Sequence, residues 1–449
     1  MNTESMIVAV VLGLLLPCCG MHGVGTVRVH AADDAEAPAE DRMADGMVAD
    51  ELPDTFPTNV FDRAPYHLSD WMQRIVDGQN AFGLRLYRGM AKGAMMNAAV
   101  SPMSMCMNLD MLTNGVKGLA REEILSAFGI DAATVSQKEL NVFNRILYKR
   151  MVSLDTVTKV AIANSVWISD DMDVRPEFVR ACREYYFAGV RERELSAERT
   201  RREINSWVSE RTEGLIPELL TERLDDNTLF TLVNTIYFRG TWEWPFSKSL
   251  TMDHPFHCAS GKESVVSMMD GDEDKPFAYE SADDLCFRMV GMPFAGGGFE
   301  MRFLLPDHGS TLSDCMEQLT PEVMKRLHEG RRLSNYRLYL PRFEVGFKAF
   351  YRTLLEAIGI HGIFTTPGDF TMFDNGPGCA VDDVVQEVKV IVSEKMVEAS
   401  AATAMAVVTS DEFDHEEQQV PMVFDRPFIF MIVDRVTGAL IFIGDVKEL

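Results

Sequence analysis

The stretch Glu394-Lys395-Met396-Val397-Glu398-Ala399-Ser400-Ala401-Ala402-Thr403 decides how the rest of the chain is read. Alanine, glutamate and methionine are good helix formers, so local propensity favours an exposed helix. At period two the pattern is different. Val397, Ala399, Ala401, Thr403, Met405 and Val407 fall on one side, and Glu398, Ser400, Ala402 and Ala404 on the other. The first side is apolar and opens with small residues; the second is small or polar. Such a segment can lie exposed and later slide between two strands, because alanine has no bulk to obstruct it. Upstream, Val384–Val392 alternates, with Val388, Val390 and Val392 on one face and Glu387 and Lys389 on the other, so a strand feeds straight into Glu394. Downstream, Phe424-Asp-Arg-Pro-Phe428-Ile-Phe-Met-Ile-Val433, a turn at Thr437-Gly438 and Ala439–Gly444 form a buried hairpin.

The length of 449 residues allows one large domain or two or three small ones. A hydrophobic share of 47% with 25% charged residues is ordinary for a globular protein. The net charge of −25 repels nucleic acid and anionic membranes at long range, so neither is an expected partner. Ile7–Leu16 is an apolar run too short to span a bilayer. It reads as the core of a secretory signal peptide, although Glu4 and no Lys or Arg precede it; a cytosolic chain with an apolar start is the other reading. Val29-His30-Ala31 has the spacing of a cleavage site, and Pro17–Gly20 offers a nearer one. Residues 1–31 are therefore assigned to a signal peptide, and the protein is expected to be secreted. Asp33–Asp54 is crowded with acidic residues and has no large apolar cluster, so residues 32–66 read as a solvated, disordered leader. Beyond Cys18 and Cys19 stand Cys106, Cys182, Cys258, Cys286, Cys315 and Cys379, with no C-x-x-C pair and no metal-ligand spacing. Buried free thiols, or free thiols with one bridge, are expected. No Asn-x-Ser/Thr acceptor for an N-glycan occurs.

Order is expected to begin near Ser69–Asp70 with a helix. Asn97-Ala-Ala-Val-Ser101-Pro-Met-Ser104 then leads into an amphipathic helix, with an N-cap serine and a proline in the first turn. Ala161–Trp167 alternates like a buried strand, and Pro176 opens a helix to about Tyr186. Arg191, Arg193, Arg199, Arg201 and Arg202 are interleaved with Glu192, Glu194 and Glu198, which reads as a solvated mixed-charge face rather than a heparin site. Leu232-Val-Asn234-Thr-Ile-Tyr-Phe-Arg-Gly240-Thr-Trp242 is a strand of aromatic and β-branched residues ending at glycine. Phe287–Pro293 and Phe299–Pro306 flank Gly296-Gly297-Gly298, a hairpin turn and not a phosphate loop, since no helix or G-K-S/T follows. No G-x-S-x-G elbow, H-E-x-x-H, P-loop or dinucleotide fingerprint occurs, so no enzyme, metal or cofactor is expected.

Taken together these segments resemble the serpins, the serine protease inhibitor family, over about Asp70–Val446. Glu394–Thr403 is similar to the hinge of the serpin reactive-centre loop. Asn97–Ser104, Ile204-Asn205-Ser-Trp207-Val208, Leu232–Trp242 and Phe424–Val433 match in order. The resemblance implies an α+β fold with three β-sheets, about nine helices and an exposed reactive-centre loop, in one domain over residues 67–449. It implies that Ser101, Ser104, Asn234 and Gln386 form a hydrogen-bonding network under the centre of the main sheet, with Trp242 beneath the point where the loop inserts.

The resemblance further implies a suicide-substrate mechanism: a protease cuts the exposed loop, becomes tethered as an acyl-enzyme, and is carried away as the freed segment enters the sheet. Loop insertion in serpins is itself a standard illustration of released strain. About fifteen inserted residues at about 3.3 Å each move the enzyme on the order of 50 Å. The family distance forward from Glu394 places the scissile bond at Ser410–Asp411, preceded by Val407-Val408-Thr409; counting back from Phe424 lands near Glu416. Insertion length is mechanically constrained, which favours the forward count. A small residue at the cut suggests an elastase- or subtilisin-like target; a cut after Asp411 or Phe413 would suggest Asp-specific or chymotrypsin-like ones. No Lys or Arg lies between Val397 and Val423, against trypsin-like targets. Two positions depart from the inhibitory pattern: Met396 stands where glycine is usual, and Gln386 replaces a histidine, though an amide also donates and accepts. The expected partner is a serine protease in covalent complex with a monomeric chain. The alternative is a non-inhibitory serpin used for binding, carriage or chaperoning; Val446-Lys-Glu-Leu449 is a poor match to an endoplasmic-reticulum retention signal.

Overall fold

Helix α1 (Asp70–Ala91) starts directly after Ser69, whose ψ of 152° is extended. Its buried positions Met72, Ile75, Val76, Gln79, Phe82 and Leu86 recur every three or four residues and form the stripe that packs on the core. This start agrees with the sequence expectation. The computed structural model describes Val8–Ala9 and residues 69–153, 158–214, 216–271, 276–280, 284–330, 332–335, 337–365, 369–374, 380–381, 384–394 and 421–449. The leader at 32–66, the hinge residues Lys395–Thr403 and the Ser410–Asp411 bond lie outside the described residues, as does the signal-peptide stretch apart from Val8–Ala9.

Nine further helices follow among the described residues: α2 (Pro102–Leu112), α3 (Gly118–Ala127), α4 (Gln137–Ser153), α5 (Pro176–Tyr186), α6 (Glu198–Arg211), α7 (Leu312–Gln318), α8 (Pro321–Glu329), α9 (Arg352–Ile358) and α10 (Gly362–Thr365). Among the described residues, seventeen strands fall into three sheets. The main sheet orders β13 (Phe343–Phe350), β14 (Val385–Val392), β1 (Val8–Ala9), β5 (Phe230–Gly240), β3 (Lys159–Ser169) and β4 (Gly189–Arg193). The second sheet orders β11 (Arg332–Asn335), β8 (Pro276–Glu280), β9 (Phe287–Pro293), β10 (Phe299–Pro306), β16 (Phe428–Asp434), β17 (Leu440–Val446) and β2 (Ala99–Val100). The small sheet orders β15 (Met422–Val423), β12 (Leu338–Pro341), β7 (Glu263–Asp270) and β6 (Met252–His257).

Local sequence explains most of these elements. The β9–β10 hairpin turns at Gly296 and Gly297, whose φ of 96° and 74° are unfavourable for residues with a Cβ. Every residue of β16 and β17 is buried, as their unbroken apolar runs require of strands covered on both faces. Helix α2 is buried at all eleven positions, including Asp110, and so has no solvent face. It contacts both β5 and β17, which puts it behind the main sheet. Main-sheet residues Ala163, Trp167 and Val233 form a separate apolar cluster with Ile204, Trp207 and Val208 of α6. Helix α6 thus covers one part of the outer face of β3 and β5. The interleaved charges nearby are paired: Arg191 and Arg193 hold Glu203, Arg199 holds Glu194, and Arg201 and Arg202 share Glu198.

Candidate functional site: the open end of the main sheet

Strands β5 and β14 run parallel and pair directly at Val233 and Val385. At Gly240 and Val392, the same distance along each strand, they no longer meet. Val8 lies between them there, antiparallel to both. The register is unchanged, so the strands have spread without slipping. Two inter-strand spacings now separate them, about 9–10 Å instead of about 4.8 Å. The closed end, at Val233 and Val385, is the one that α6 and its apolar cluster back. The open end is where the chain leaves β14 toward the hinge.

Gln386 sits one residue past the closed pairing, on the inner face of β14. Its side-chain oxygen accepts from the Ser101 backbone N–H at 3.0 Å, and its Nε2 donates to the Ser101 carbonyl at 3.2 Å and to Ser104 Oγ at 3.4 Å. Ser101 Oγ in turn donates to the Ile441 carbonyl at 2.8 Å and accepts from the Ser104 backbone N–H at 3.3 Å, which caps α2. One amide therefore ties β14 to the start of α2 and, through Ser101, to β17. All three residues are fully buried, where such bonds are worth most and an unpaired partner is most costly.

Asn234, next to Gln386 by register, makes a different bond. Its Nδ2 donates to Asn164 Oδ1 directly opposite on β3, and Asn164 Nδ2 donates to the Tyr186 carbonyl at 3.0 Å. The structure therefore brings Ser101, Ser104 and Gln386 together, while Asn234 bonds toward β3 and α5.

The other end of β14 is held by Trp242 and Glu394. Trp242 is buried, stacks on Phe294 with ring centroids 4.8 Å apart and planes at 7°, and donates its indole N–H to the Ser393 carbonyl at 3.1 Å. Gly240 makes room for this stack, since a Cβ there would meet Phe294 Cδ1 at 2.5 Å. Glu394 is 1% exposed, and its carboxylate takes a fork of two hydrogen bonds from Arg342, 2.7 and 2.6 Å, with a third from Thr251 Oγ1. Burial pushes this carboxyl up, but the bonds from Arg342 and Thr251 outweigh it and hold it below the ordinary value. Glu394 is thus clamped in place.

Arg342, Thr251, Phe294 and Asn164 were not apparent as site residues in the sequence. Arg342 stands in Leu338-Tyr-Leu-Pro-Arg-Phe343, where an arginine between two strands carries no local sign of its partner. Replacing it tests the clamp. In Arg342→Ala, Glu394 loses both guanidinium bonds; since the Arg342 side chain is 43% exposed, solvent takes over part of its role and the expected loss is about 1–2 kcal/mol. Because Glu394 titrates below its ordinary value when folded, this contribution is present above about pH 4.5 and lost as pH falls through the folded value. Denaturant melts of both proteins should therefore converge in acid; a gap that persists there would count against the clamp.

The arrangement is three sheets, with a main sheet whose strands β5 and β14 pair at one end and flank Val8–Ala9 at the other. A family model described as Serpin (serine protease inhibitor) matches residues 77–449. The chain belongs to the serpin family. It is 29% identical to leukocyte elastase inhibitor A of Rattus norvegicus over 386 residues, covering 84% of this chain and 99% of that one. Among solved structures, Arabidopsis AtSerpin1 in its native stressed conformation superposes with a TM-score of 0.73 at 25% identity, covering 85% of this chain and 99% of that one. Human thyroxine-binding globulin complexed with thyroxine superposes with a TM-score of 0.74 at 22% identity, covering 84% and 99%, a likeness of fold. The fold is the serpin fold, with ten helices among the described residues where about nine were expected.

Proposed function

We propose that the protein is a secreted inhibitor that traps serine proteases by inserting its cleaved loop into the main sheet. The observation that carries this reading is the open end of that sheet. Strands β5 and β14 keep their register while standing one strand apart, and the gap takes backbone antiparallel to both. A chain leaving β14 and folding back has that polarity. The inward side chains of the segment, Val397, Ala399, Ala401 and Thr403, are slim enough to enter. Val8–Ala9, which lies in the gap, belongs to the stretch read as a signal peptide; its removal on secretion leaves the slot to the loop.

In this mechanism the protease serine attacks the Ser410 carbonyl and the amine of Asp411 leaves. Insertion then draws the ester-linked enzyme along the sheet before water reaches it. The small Ser410 fits elastase- or subtilisin-like enzymes. The glutamate partners of Arg191, Arg193, Arg199, Arg201 and Arg202 leave little net positive charge for heparin, so inhibition is expected to proceed without it.

The test is incubation with elastase-, subtilisin- and chymotrypsin-like proteases, followed by denaturing electrophoresis and mass measurement of the released C-terminal peptide. At least one enzyme should give an SDS-resistant complex, with the peptide starting at Asp411. Val397→Arg places a guanidinium on the inward face, where its burial costs several kcal/mol. That variant should be cut at the same bond but turn over as a substrate, with the enzyme consumed per inhibitor falling about tenfold or more. A protein cut by every protease and trapping none would overturn the reading.

A cavity of about 630 Å³ favours one second reading, carriage of a small amphipathic ligand. It lies between the C-terminus of α1 and the turn after it (Ala91–Ala94), Leu312 and Met316 of α7, and Arg426–Pro427. Cleavage without trapping, together with saturable binding of such a ligand, would favour it.

A further inference from the structure

Cys286, immediately before β9, and Cys315, in the middle of α7, place their sulfurs 3.7 Å apart. We propose that these two residues are a dithiol poised to close into a disulfide by exchange with a low-molecular-weight disulfide such as glutathione disulfide, so that the bridge forms when the chain enters an oxidising compartment.

The backbone around the pair is fixed from several directions. The Cys286 N–H donates to Gln318 Oε1 at 2.8 Å, holding the last residue of α7 against it, and the Cys286 carbonyl accepts from the Asp307 N–H at 2.9 Å. The Cys315 thiol lies 3.8 Å from that same carbonyl. At its other end α7 is closed by a capping box. The Asp314 N–H donates to Thr311 Oγ1 at 3.2 Å, and the Thr311 N–H donates to Asp314 Oδ2 at 2.7 Å. A disulfide needs the sulfurs about 2.05 Å apart, so each must move by somewhat under 1 Å, within reach of small side-chain rotations. Cys106, Cys182 and Cys258 are buried and have no second sulfur in hydrogen-bond reach among the described residues.

The two thiols are not equivalent. Cys286 is half-buried and Cys315 fully buried, so Cys286 is the one that meets the oxidant. Its thiolate attacks one sulfur of the small disulfide; that S–S bond breaks, one small thiolate leaves, and Cys286 carries the mixed disulfide. Cys315 then loses its proton to solvent base and attacks Cys286 Sγ, expelling the second small thiolate. Two protein thiols are oxidised to one disulfide, and one small disulfide is reduced to two thiols. Burial, and then the neighbouring Cys286, push the Cys315 thiol up, so closure should accelerate as pH rises. The bridge would close a loop containing the whole β9–β10 hairpin and pin α7 to the start of β9.

The full chain is equilibrated in glutathione buffers from fully reduced to the oxidising poise of the secretory pathway. Free thiols are then blocked, and peptides are mapped by mass without reduction. The expected result is a peptide carrying Cys286 joined to the peptide carrying Cys315, two hydrogens lighter than the separate pair, with Cys106, Cys182 and Cys258 alkylated after unfolding. Reduction should lower the melting midpoint of the oxidised protein by about 4 °C and leave Cys286→Ser unchanged. Full alkylation of both thiols, Cys286 stalled as its glutathione adduct, or Cys286 bridged to another cysteine would each overturn the proposal.

Discussion

A single cut between residues 408 and 420 is expected to raise the midpoint of thermal unfolding by about 10 °C. The scale comes from the side chains the main sheet would take in. Burying Val397, Met405 and Val407 is worth about 2 kcal/mol each, and the methyl groups of Ala399, Ala401 and Thr403 about 0.8 kcal/mol each. The sum of about 8 kcal/mol corresponds to about 10 °C for a domain whose unfolding entropy is about 0.8 kcal/mol/K. The strand ladder at the open end, where β5 and β14 no longer pair with each other, adds to it. Calorimetry on intact and cut protein measures the shift, and carboxypeptidase digestion of the new end reports whether it is enclosed. An unchanged midpoint with a fully digestible end would mean that the cut segment stays outside the sheet.

Replacing Asp110 by asparagine is expected to abolish a loss of stability between pH 4 and pH 7 amounting to about 4 kcal/mol. Asp110 lies in the fully buried α2, and its Oδ2 accepts from Gln79 of α1 and Asn144 of α4, both at 2.9 Å. Around it stand Cys106 on its own helix and the Tyr186 phenol of α5, which donates to Asn141 at 2.8 Å. None of these groups is a cation. Desolvation therefore dominates and raises the carboxyl from 3.8 to about 7, with the two amide bonds only partly offsetting it. The sign follows from proton counting. Between these two values the folded state holds a proton that the unfolded state has released, so stability is full below about pH 4, falls as pH rises, and levels off above about 7. Asp110→Asn should remove that slope and be the more stable protein at pH 8. Equal slopes in the two proteins would show that Asp110 is ionised in the fold. The Glu394 clamp acts oppositely and only in acid, so the effects separate on the pH axis.

Elements whose signals are local could be read from the chain alone. The period-two alternation of Val384–Val392 became β14, the glycines at 296–298 became a hairpin turn, and Ser101 with Pro102 became the start of α2. Each is settled by a few neighbouring side chains, through face alternation, positive φ or a capped helix end. The network of Ser101, Ser104 and Gln386 was legible through resemblance, because its residues sit inside such recognisable segments. Which residues meet across the fold follows from packing and not from any local pattern. Trp242 reaches the Ser393 carbonyl across 151 positions, Arg342 finds Glu394 across 52, and Asn234 turns to Asn164 instead of the serines. No periodicity encodes such pairings, since they depend on which strands lie side by side. The same holds for the spacing of β5 and β14 and for the contact of Cys286 with Cys315: a local pattern specifies a face, while a distance between two faces exists only once the sheets have packed.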